Sequence, residues 1–274
     1  MSDGERKPGR VLAVAGTDSG GGAGIQADTK TVTCLGGYAA TAVTALTAQD
    51  TRGVHGVQGV DPPFIQHQMR VVLDDIGADC IKTGMLHSPE VIRAVVEVLD
   101  AYPGIPVVVD PVIAAQSGDQ LISHEAVHTL SHDLAPRATV LTPNRPEAAA
   151  LTGMTVETVE QLGHAAEILL TFGAESALAK GGHLRGDVLT DVLADANGTI
   201  QFQDSWVTTE QTHGTGCTLA SAIATGLAQG LDVRAAVMRA RDYLRRALIK
   251  APNIGAGRGP VRHAWTVRQF PGEF

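Results

Sequence analysis

The chain has few of the features that mark extracellular or nucleic-acid-binding proteins. Its 274 residues include three cysteines without CxxC spacing, which argues against a disulfide scaffold or a zinc ribbon. Positive charge is scarce, since 21 Lys and Arg stand against 29 Asp and Glu. The net charge of −8 disfavours a general binder of nucleic acids or membrane surfaces, so we expect a small-molecule partner. Aromatic residues are only 4% of the chain, which disfavours a pocket built on ring stacking.

Long apolar runs are also missing. No stretch reaches the roughly 18 consecutive apolar residues that a membrane helix requires. The first ten residues are polar, and the apolar run after them, 11–15, is too short for the core of a signal peptide. We therefore expect a cytoplasmic protein with a flexible segment over 1–10, a single folded domain over 11–266 and a C-terminal tail over 267–274.

What the chain does contain is an alternation of strand-like and helical segments. Apolar runs ending in glycine or a polar residue predict buried strands at 11–16, 80–83, 106–110, 138–142 and 176–180, with a further strand at 38–49. Helical spacing predicts helices at 22–35, 62–76, 89–99, 146–151, 156–172, 216–228 and 233–250. A hairpin turning at Asn197 and Gly198 joins 187–194 to 199–206. This order predicts a three-layer α/β/α sandwich with a mostly parallel central sheet.

A glycine-rich segment follows the first strand. Between Gly16 and Asp28 the sequence GTDSGGGAGIQAD holds five glycines, which let backbone N–H groups approach a ligand at the start of a helix. Part of it also matches the GxGxxA dinucleotide fingerprint, with Asp50 as the candidate ribose-binding acid, so a nicotinamide-dependent oxidoreductase is an alternative. A tight turn that binds no ligand is the other alternative.

A second glycine-rich segment, THGTGCT, starts at Thr212 and leads directly into an apolar helix. Small residues at a helix N-terminus present several unpaired N–H groups to one point, an anion hole suited to a phosphoryl group in transit. Cys217 lies in the first turn, where the helix dipole favours thiolate and predicts a lowered pKa. A buried structural cysteine is the alternative, as it is for Cys34 and Cys80.

Polar residues stand at the tips of three predicted strands. Asp110, Asn144 and Glu147 supply oxygen ligands suited to a hard cation with waters, and Lys180 suits phosphate oxygens. Asn144 or Glu147 could instead cap the helix after Pro143. Ligands of parallel sheets bind beyond the carboxyl ends of the strands, so we expect these residues to converge there.

Seven motifs occur in one order: GTDSGGGAGIQAD, AQDT (48–51), KTGML (82–86), VDPV (109–112), TPNRPEA (142–148), KGGH (180–183) and HGTGC (213–217). Together they closely resemble the hydroxymethylpyrimidine/phosphomethylpyrimidine kinases of thiamine biosynthesis, in the ribokinase-like superfamily. The resemblance implies a phosphotransferase that uses ATP and magnesium. It would phosphorylate the hydroxymethyl group of 4-amino-5-hydroxymethyl-2-methylpyrimidine, and then the monophosphate to the diphosphate.

The resemblance also implies site residues and an assembly. The pyrimidine pocket would be formed by Gly16, Asp18, Ala23, Gln49, Met85 and Val112, with the Gln49 amide pairing with the ring's amino and nitrogen edge. ATP would contact Lys180, His183 and Thr215, and magnesium would lie near Asp110, Asn144 and Glu147. The catalytic group would be the anion hole of Gly214, Thr215, Gly216 and Cys217. A homodimer is expected, because relatives are commonly dimers.

Three alternatives stay open at this point. A pyridoxine/pyridoxal kinase shares the fold and the motifs. The nicotinamide-dependent oxidoreductase leaves HGTGC and KGG without a role. A non-catalytic pyrimidine-binding module would require a decayed site, although Lys180, Asp110 and Cys217 are intact. The arginines of the last predicted helix, 233–250, are interpreted as a solvated face.

Overall fold

The computed structural model describes residues 8–113, 122–182 and 188–268. Its strands are β1 (Arg10–Ala15), β2 (Tyr38–Val43), β3 (Ala45–Gln49), β4 (Val54–Gly59), β5 (Cys80–Thr83), β6 (Val107–Val109), β7 (Val140–Leu141), β8 (Ser176–Ala179), β9 (Val188–Asp195) and β10 (Gly198–Ser205). Its helices are α1 (Gly24–Cys34), α2 (Pro62–Asp75), α3 (Pro89–Ala101), α4 (His124–Thr129), α5 (Arg145–Thr152), α6 (Val159–Leu170), α7 (Thr215–Ala228) and α8 (Val233–Ile249). Within these described ranges, no helix has the length and apolar character needed to cross a membrane.

Eight strands form the central sheet, in the order β10-β9-β8-β7-β6-β5-β1-β2. The six strands from β8 to β2 pair in parallel, whereas β9 and β10 form the antiparallel edge. The predicted hairpin is confirmed, and Gly198 at its turn has φ of 114°, which favours glycine. β3 and β4 form a separate two-stranded antiparallel sheet.

Successive residues of the central strands pack into two different cores. In β1, Leu12 and Val14 belong to one core and Val11 to the other, and in β6 Val109 and Val108 divide in the same way. Helices α2 to α6 cover the first core, and α1, α7 and α8 cover the second. Because both faces of the sheet are buried, its strands are continuous apolar runs without polar alternation. The predicted three-layer sandwich with a mostly parallel sheet is confirmed.

The segment 38–49, predicted as one strand, is two. The chain leaves the central sheet after Val43 and enters the small sheet at Ala45. Thr44 lies between them, and its hydroxyl donates a hydrogen bond of 2.7 Å to the carbonyl oxygen of Met85. This bond fixes the point at which the chain turns out of the central sheet toward the small one.

Two elements lack a sequence signal. Strand β4, VHGVQG, is largely exposed and contains two glycines, so it shows neither an apolar run nor a buried face. Helix α4 is six residues long and continues into a π-helical turn at Leu130–Leu134. Neither element contains a residue of the site described below.

The parallel strands place their carboxyl ends at one edge of the sheet. The residues that follow these ends directly are Gly16 after β1, Gly84 after β5, Asp110 after β6, Thr142 after β7 and Lys180 after β8. This edge is where ligands of open α/β sheets bind. The motif residues on different strands therefore face one region.

Candidate active site

The first glycine segment, residues 16–24, folds around the carboxylate of Asp18. This side chain is 1% exposed and accepts backbone hydrogen bonds of 2.8 Å from Gly20, 2.9 Å from Gly22 and 2.8 Å from Ala23. Gly24 has φ of 56°, and a Cβ on it would lie 2.5 Å from the carbonyl oxygen of Gly16. The carboxylate thus binds N–H groups of its own segment. Asp18 is predicted from the sequence to contact substrate, but this geometry favours a role in holding the segment in shape.

The second glycine segment, residues 212–217, packs against the first at a junction where Gly214 meets Gly22. Neither of these two glycines has space for a side chain. Gly214 has φ of 78°, and a Cβ there would lie 1.8 Å from the carbonyl oxygen of Gly22. His213 crosses the junction, because its Nε2 lies 2.7 Å from Oδ2 of Asp18. The N–H groups of the first turn of α7, at Gly216 and Cys217, have no carbonyl four residues earlier within the helix. They are therefore hydrogen-bond donors without an acceptor inside the helix, at the start of α7.

The tips of three strands meet in front of this helix. Nζ of Lys180 lies 3.2 Å from Oδ1 of Asp110, and the hydroxyl of Thr142 lies 3.3 Å from the same oxygen. A Cβ on Gly216 would lie 3.5 Å from both Lys180 Nζ and Asp110 Oδ2. A lysine ammonium, an aspartate carboxylate and a helix N-terminus therefore converge on one point. The predicted convergence of the strand tips is confirmed in its geometry.

Asn144 and Glu147 form the cap of α5 beside this point. The Asn144 side chain accepts from the N–H of Glu147 at 3.0 Å, and Glu147 Oε2 accepts from the N–H of Asn144 at 2.8 Å. This is the capping alternative considered from the sequence. Burial raises the pKa of Glu147 to about 7, against the opposing effect of Lys180. Among the described residues, no three His, Cys, Asp or Glu side chains are grouped as metal ligands.

A cavity of about 750 Å³ opens beside the convergence point. Lys180, Thr215 and Gly216 line its inner end, and its volume suits a ligand of nucleotide size. Arg241 of α8 lines the wall and pairs with Asp191 at 2.8 Å and Asp204 at 2.9 Å. With 10% of its side chain exposed, Arg241 departs from the expected solvated face of arginines on this helix.

The residues expected around a pyrimidine lie on the first glycine segment, at the end of β3 and just beyond the ends of β5 and β6. A Cβ on Gly16 would lie 2.7 Å from Cε of Met85, so these residues are direct neighbours. Gln49, at the end of β3, is tied to the first glycine segment, because its N–H donates to the hydroxyl of Ser19 at 2.8 Å. Val112 is half-buried two residues beyond Asp110. The expected ATP contact His183 lies outside the described residues.

Cys217 corrects the prediction of a lowered pKa. Burial raises the pKa of its thiol to about 12, and the carboxylates of Asp28 and Asp110 add to the rise. Lys82 and the N–H of Gly24 act in the opposite direction but are outweighed. The position in the first turn was read correctly, but desolvation and two nearby carboxylates exceed the effect of the helix dipole. The thiol is therefore protonated at neutral pH.

Lys82 and Asp28 form a buried ion pair that the sequence analysis missed. Nζ of Lys82 lies 2.8 Å and 3.0 Å from the two carboxylate oxygens of Asp28, and both side chains are fully buried. Ser221, one turn beyond Cys217, donates to Asp28 Oδ1 at 2.7 Å. A Cβ on Gly84 would lie 2.9 Å from Lys82 Nζ. The available signal was a lysine inside the buried strand CIKT, followed by a glycine in the KTGML motif.

The family comparison agrees with this arrangement. The sequence profile described as phosphomethylpyrimidine kinase matches residues 18–262. The chain belongs to this family. The resemblance inferred from the seven motifs is thereby confirmed.

Relatives in this kinase family match most of the chain. The thiamine biosynthesis bifunctional protein ThiED of Geobacter sulfurreducens is 49% identical over 93% of the chain, which spans about half (52%) of that longer protein. The hydroxymethylpyrimidine/phosphomethylpyrimidine kinase of Streptomyces coelicolor is 46% identical over 95% of the chain and 96% of its own length.

Solved structures of two kinds of kinase share the fold. A Bacillus subtilis pyridoxal kinase, in complex with ADP, superposes with a TM-score of 0.89 at 34% identity, over 94% of this chain and 98% of that one. A Clostridium difficile phosphomethylpyrimidine kinase superposes with a TM-score of 0.78 at 38% identity, over 87% of this chain and 99% of that one. The expected ribokinase-like fold is confirmed.

The oxidoreductase alternative is wrong for this kinase. Asp50, its candidate ribose acid, is exposed between β3 and β4 and pairs with His55 at 3.1 Å. The chain leaves the central sheet before Asp50, so this residue does not follow the strand next to β1, where the fingerprint requires it. Three N–H groups of the glycine segment are bound to Asp18 and are not offered to a pyrophosphate.

Proposed function

We propose that the protein transfers the γ-phosphoryl group of ATP to the hydroxymethyl oxygen of 4-amino-5-hydroxymethyl-2-methylpyrimidine, and then a second phosphoryl group to the resulting monophosphate. The observation that supports this is the convergence of Lys180, Asp110 and Gly216 at the start of α7. Lys180 and Gly216 also line the cavity of about 750 Å³, whereas Gly16 and Met85 are neighbours of each other and do not line it. We therefore assign the phosphoryl donor to the cavity and the alcohol acceptor to the neighbourhood of Gly16 and Met85.

In the first transfer, the hydroxyl oxygen of the pyrimidine attacks the γ-phosphorus. The new O–P bond forms as the bond to the β,γ-bridging oxygen breaks, ADP departs and the hydroxyl proton passes to solvent. The first-turn N–H groups of Gly216 and Cys217 and the ammonium of Lys180 would oppose the negative charge on the transferred group. In a loose transition state this charge neutralisation and positioning matter more than removal of the proton. A neutral thiol at Cys217 is compatible with a reaction that depends little on a base.

The second transfer needs no base. A phosphate monoester is largely ionised at neutral pH, so one of its oxygens attacks without first losing a proton. The phosphate gained in the first transfer would have to shift away from the start of α7, so that the same N–H groups and Lys180 can bind the next γ-phosphoryl group. One site can therefore support both reactions, provided that ADP is exchanged for ATP between them.

Magnesium fits the residues beside the cavity. Asp110 and Glu147 place two carboxyl groups near each other. The burial of Glu147 and the negative charge of Asp110 both oppose ionisation of Glu147. A bound cation would relieve this cost, and one or two carboxylates with phosphates and waters are the usual magnesium environment. We therefore propose Asp110 and Glu147 as its protein contacts, with Asn144 fixing the position of Glu147. Magnesium would neutralise charge on the phosphates when bound.

Pyridoxal is the second candidate substrate, on one specific observation. The backbone superposes better on the pyridoxal kinase, with a TM-score of 0.89, than on the phosphomethylpyrimidine kinase, with 0.78. Sequence favours the pyrimidine, because the identity is higher to the phosphomethylpyrimidine kinase, at 38%, than to the pyridoxal kinase, at 34%. We give the pyrimidine precedence, since the curated relatives with higher identity carry that name.

Product analysis separates the candidates. The protein is incubated with ATP, magnesium and either hydroxymethylpyrimidine, its monophosphate or pyridoxal, and phosphorylated products are followed by phosphorus NMR. We expect pyrimidine monophosphate and then diphosphate, with Lys180→Met as the inactive control. A higher kcat/KM for pyridoxal would overturn the substrate assignment, and monophosphate alone would overturn the second transfer.

The expected homodimer stays a prediction. The mass of one chain is 28.5 kDa, so the particle mass in solution distinguishes one copy from two.

A further inference from the structure

At the junction of the two glycine segments, Gly22 and Gly214 have no space for side chains. A Cβ on Gly22 would lie 2.4 Å from Cδ2 of His213, and a Cβ on Gly214 would lie 1.8 Å from the Gly22 carbonyl oxygen. The segments belong to different parts of the chain, 195 residues apart at the Asp18–His213 contact. One carries the expected pyrimidine neighbours Gly16 and Ala23, and the other the first turn of α7.

Asp18 is saturated with hydrogen bonds at this junction. Oδ1 accepts from the N–H of Gly20, and Oδ2 accepts from Gly22, Ala23 and Nε2 of His213. Burial alone would raise the pKa of Asp18, but the hydrogen bonds from His213 and the backbone hold it below its ordinary value. The group is thus a carboxylate whose oxygens accept hydrogen bonds from four N–H donors.

His213 is also held by residues 259 and 260, outside both glycine segments. Its N–H donates to the carbonyl oxygen of Gly259 at 3.0 Å, and the residue forms a parallel bridge with Pro260. An ionised carboxylate only accepts, so Nε2 carries the proton that it donates to Asp18. The imidazole is 12% exposed and packs on Gly22. The backbone of His213 is therefore held independently of the bond from its side chain to Asp18.

We propose that the hydrogen bond from His213 Nε2 to Asp18 is a latch that holds the first glycine segment against the start of α7, so that the acceptor alcohol and the transferred phosphoryl group keep their mutual distance. His213 and Asp18 are positioning residues in this assignment, which rests on the proposed function. Reacting atoms must lie about 3 to 3.5 Å apart, and an error of about 1 Å can cost about 100-fold in rate. A hydrogen bond to an ionised carboxylate is short and strong, so one across the junction can hold the two segments within that distance.

The test compares His213→Leu with His213→Gln. Leucine removes the donor while Asp18 keeps its three backbone partners, so the segment can still fold. The glutamine amide places an N–H donor at a reach similar to that of Nε2 and restores the bond without an imidazole. Asp79→Asn is the matched control, because Asp79 also accepts from a backbone N–H and a basic side chain, both of Arg10, at the opposite edge of the sheet.

Two measurements are made on each variant. Amide hydrogen exchange of Gly20, Gly22 and Ala23 is measured without ligands, and kcat and KM are measured with whichever alcohol the wild type phosphorylates. In His213→Leu we expect these amides to exchange about 10- to 100-fold faster, the range for loss of a charged hydrogen bond. We also expect kcat/KM for the alcohol to fall by a similar factor, with KM for ATP within about twofold. His213→Gln should recover most of both losses, and Asp79→Asn should change neither.

The latch is overturned if His213→Leu exchanges like the wild type, or if His213→Gln is as impaired as His213→Leu. Failure of the proposed function would be seen separately, as a wild type that does not phosphorylate hydroxymethylpyrimidine. The exchange measurement needs no substrate, so it decides for or against the latch in that case as well.

Discussion

Two lysine–aspartate pairs stand on either side of the start of α7, and they differ in how completely each lysine is satisfied. Lys82 binds both oxygens of Asp28 at 2.8 Å and 3.0 Å, with no exposed surface on either side chain. Lys180 contacts one oxygen of Asp110 at 3.2 Å, and 12% of its side chain is exposed beside the cavity. Burial alone would lower the pKa of each lysine, but the neighbouring carboxylates raise both, so both carry a charge.

The difference assigns different tasks to chemically identical pairs. The sealed pair, Lys82 with Asp28, has a third partner in Ser221 of α7 and no access for a ligand. Among the residues that the structure describes, the open pair, Lys180 with Asp110, makes one longer contact, which we propose is exchanged for phosphate oxygens. The sealed pair therefore fixes how α7 sits on β5 and α1, whereas the open pair is the one that we propose takes part in the reaction.

Breaking the sealed pair should have the largest effect on stability. Lys82→Met leaves the Asp28 carboxylate buried without its cation, so we expect the free energy of unfolding to fall by about 3 to 5 kcal/mol in urea denaturation. The double variant Lys82→Met with Asp28→Leu should recover most of this loss, because no uncompensated charge remains. Arg10→Met at the exposed Arg10–Asp79 pair is the control, with an expected loss below about 1 kcal/mol. A Lys82→Met protein as stable as the wild type would contradict the distinction between the pairs.

Breaking the open pair should reduce activity more than stability. We expect Lys180→Met to lower kcat/KM by about 100- to 1000-fold, the usual cost of removing one donor that opposes transition-state charge. Its loss of unfolding free energy should be clearly smaller than that of Lys82→Met. Lys180→Arg, which keeps the charge, should retain part of the activity. Steady-state kinetics and urea denaturation on the same samples check both statements, and a fall in activity below tenfold would remove Lys180 from the proposed site.

The open pair could be predicted from sequence and the sealed pair could not. Asp110 and Lys180 each follow a short apolar run, a local pattern that marks the carboxyl end of a buried strand. Asp28 lies 54 residues from Lys82, in a helix whose pattern gives no sign of a cation beneath it. Their pairing depends on strand order, because β5 lies beside β1. Local patterns do not contain that order.

The same limit explains the other departures. A glycine-rich segment indicates close backbone packing, but whether its N–H groups face a ligand or their own Asp18 is decided by how the turn closes. The strand predicted at 38–49 has a uniform composition, and its break at Thr44 is set by the carbonyl of Met85 from another strand end. The pKa of Cys217 departs from the prediction because helix position is local, whereas burial of the thiol and the approach of Asp28 and Asp110 depend on the fold.

Cys217 tests the comparison most finely, because burial raises the pKa of its thiol, Lys82 lowers it, and Asp28 and Asp110 raise it further. With a pKa of about 12, about one thiol in 10⁵ is ionised at pH 7, so the rate of iodoacetamide alkylation at this cysteine should keep rising well above pH 9. Mass spectrometry of the modified peptide separates it from Cys34 and Cys80.

If the neutral thiol acts as a donor or spacer, Cys217→Ser should keep kcat within about tenfold, because a hydroxyl replaces it in both roles. Cys217→Ala should lose more kcat than affinity, and near wild-type kcat in the alanine variant would show that the thiol is dispensable. A serine variant as inactive as the alanine variant, with alkylation that levels off below pH 8, would instead indicate a thiolate base. Lys82 would then have to outweigh both the burial of the thiol and the two carboxylates, and the sealed pair would take part in the reaction as well.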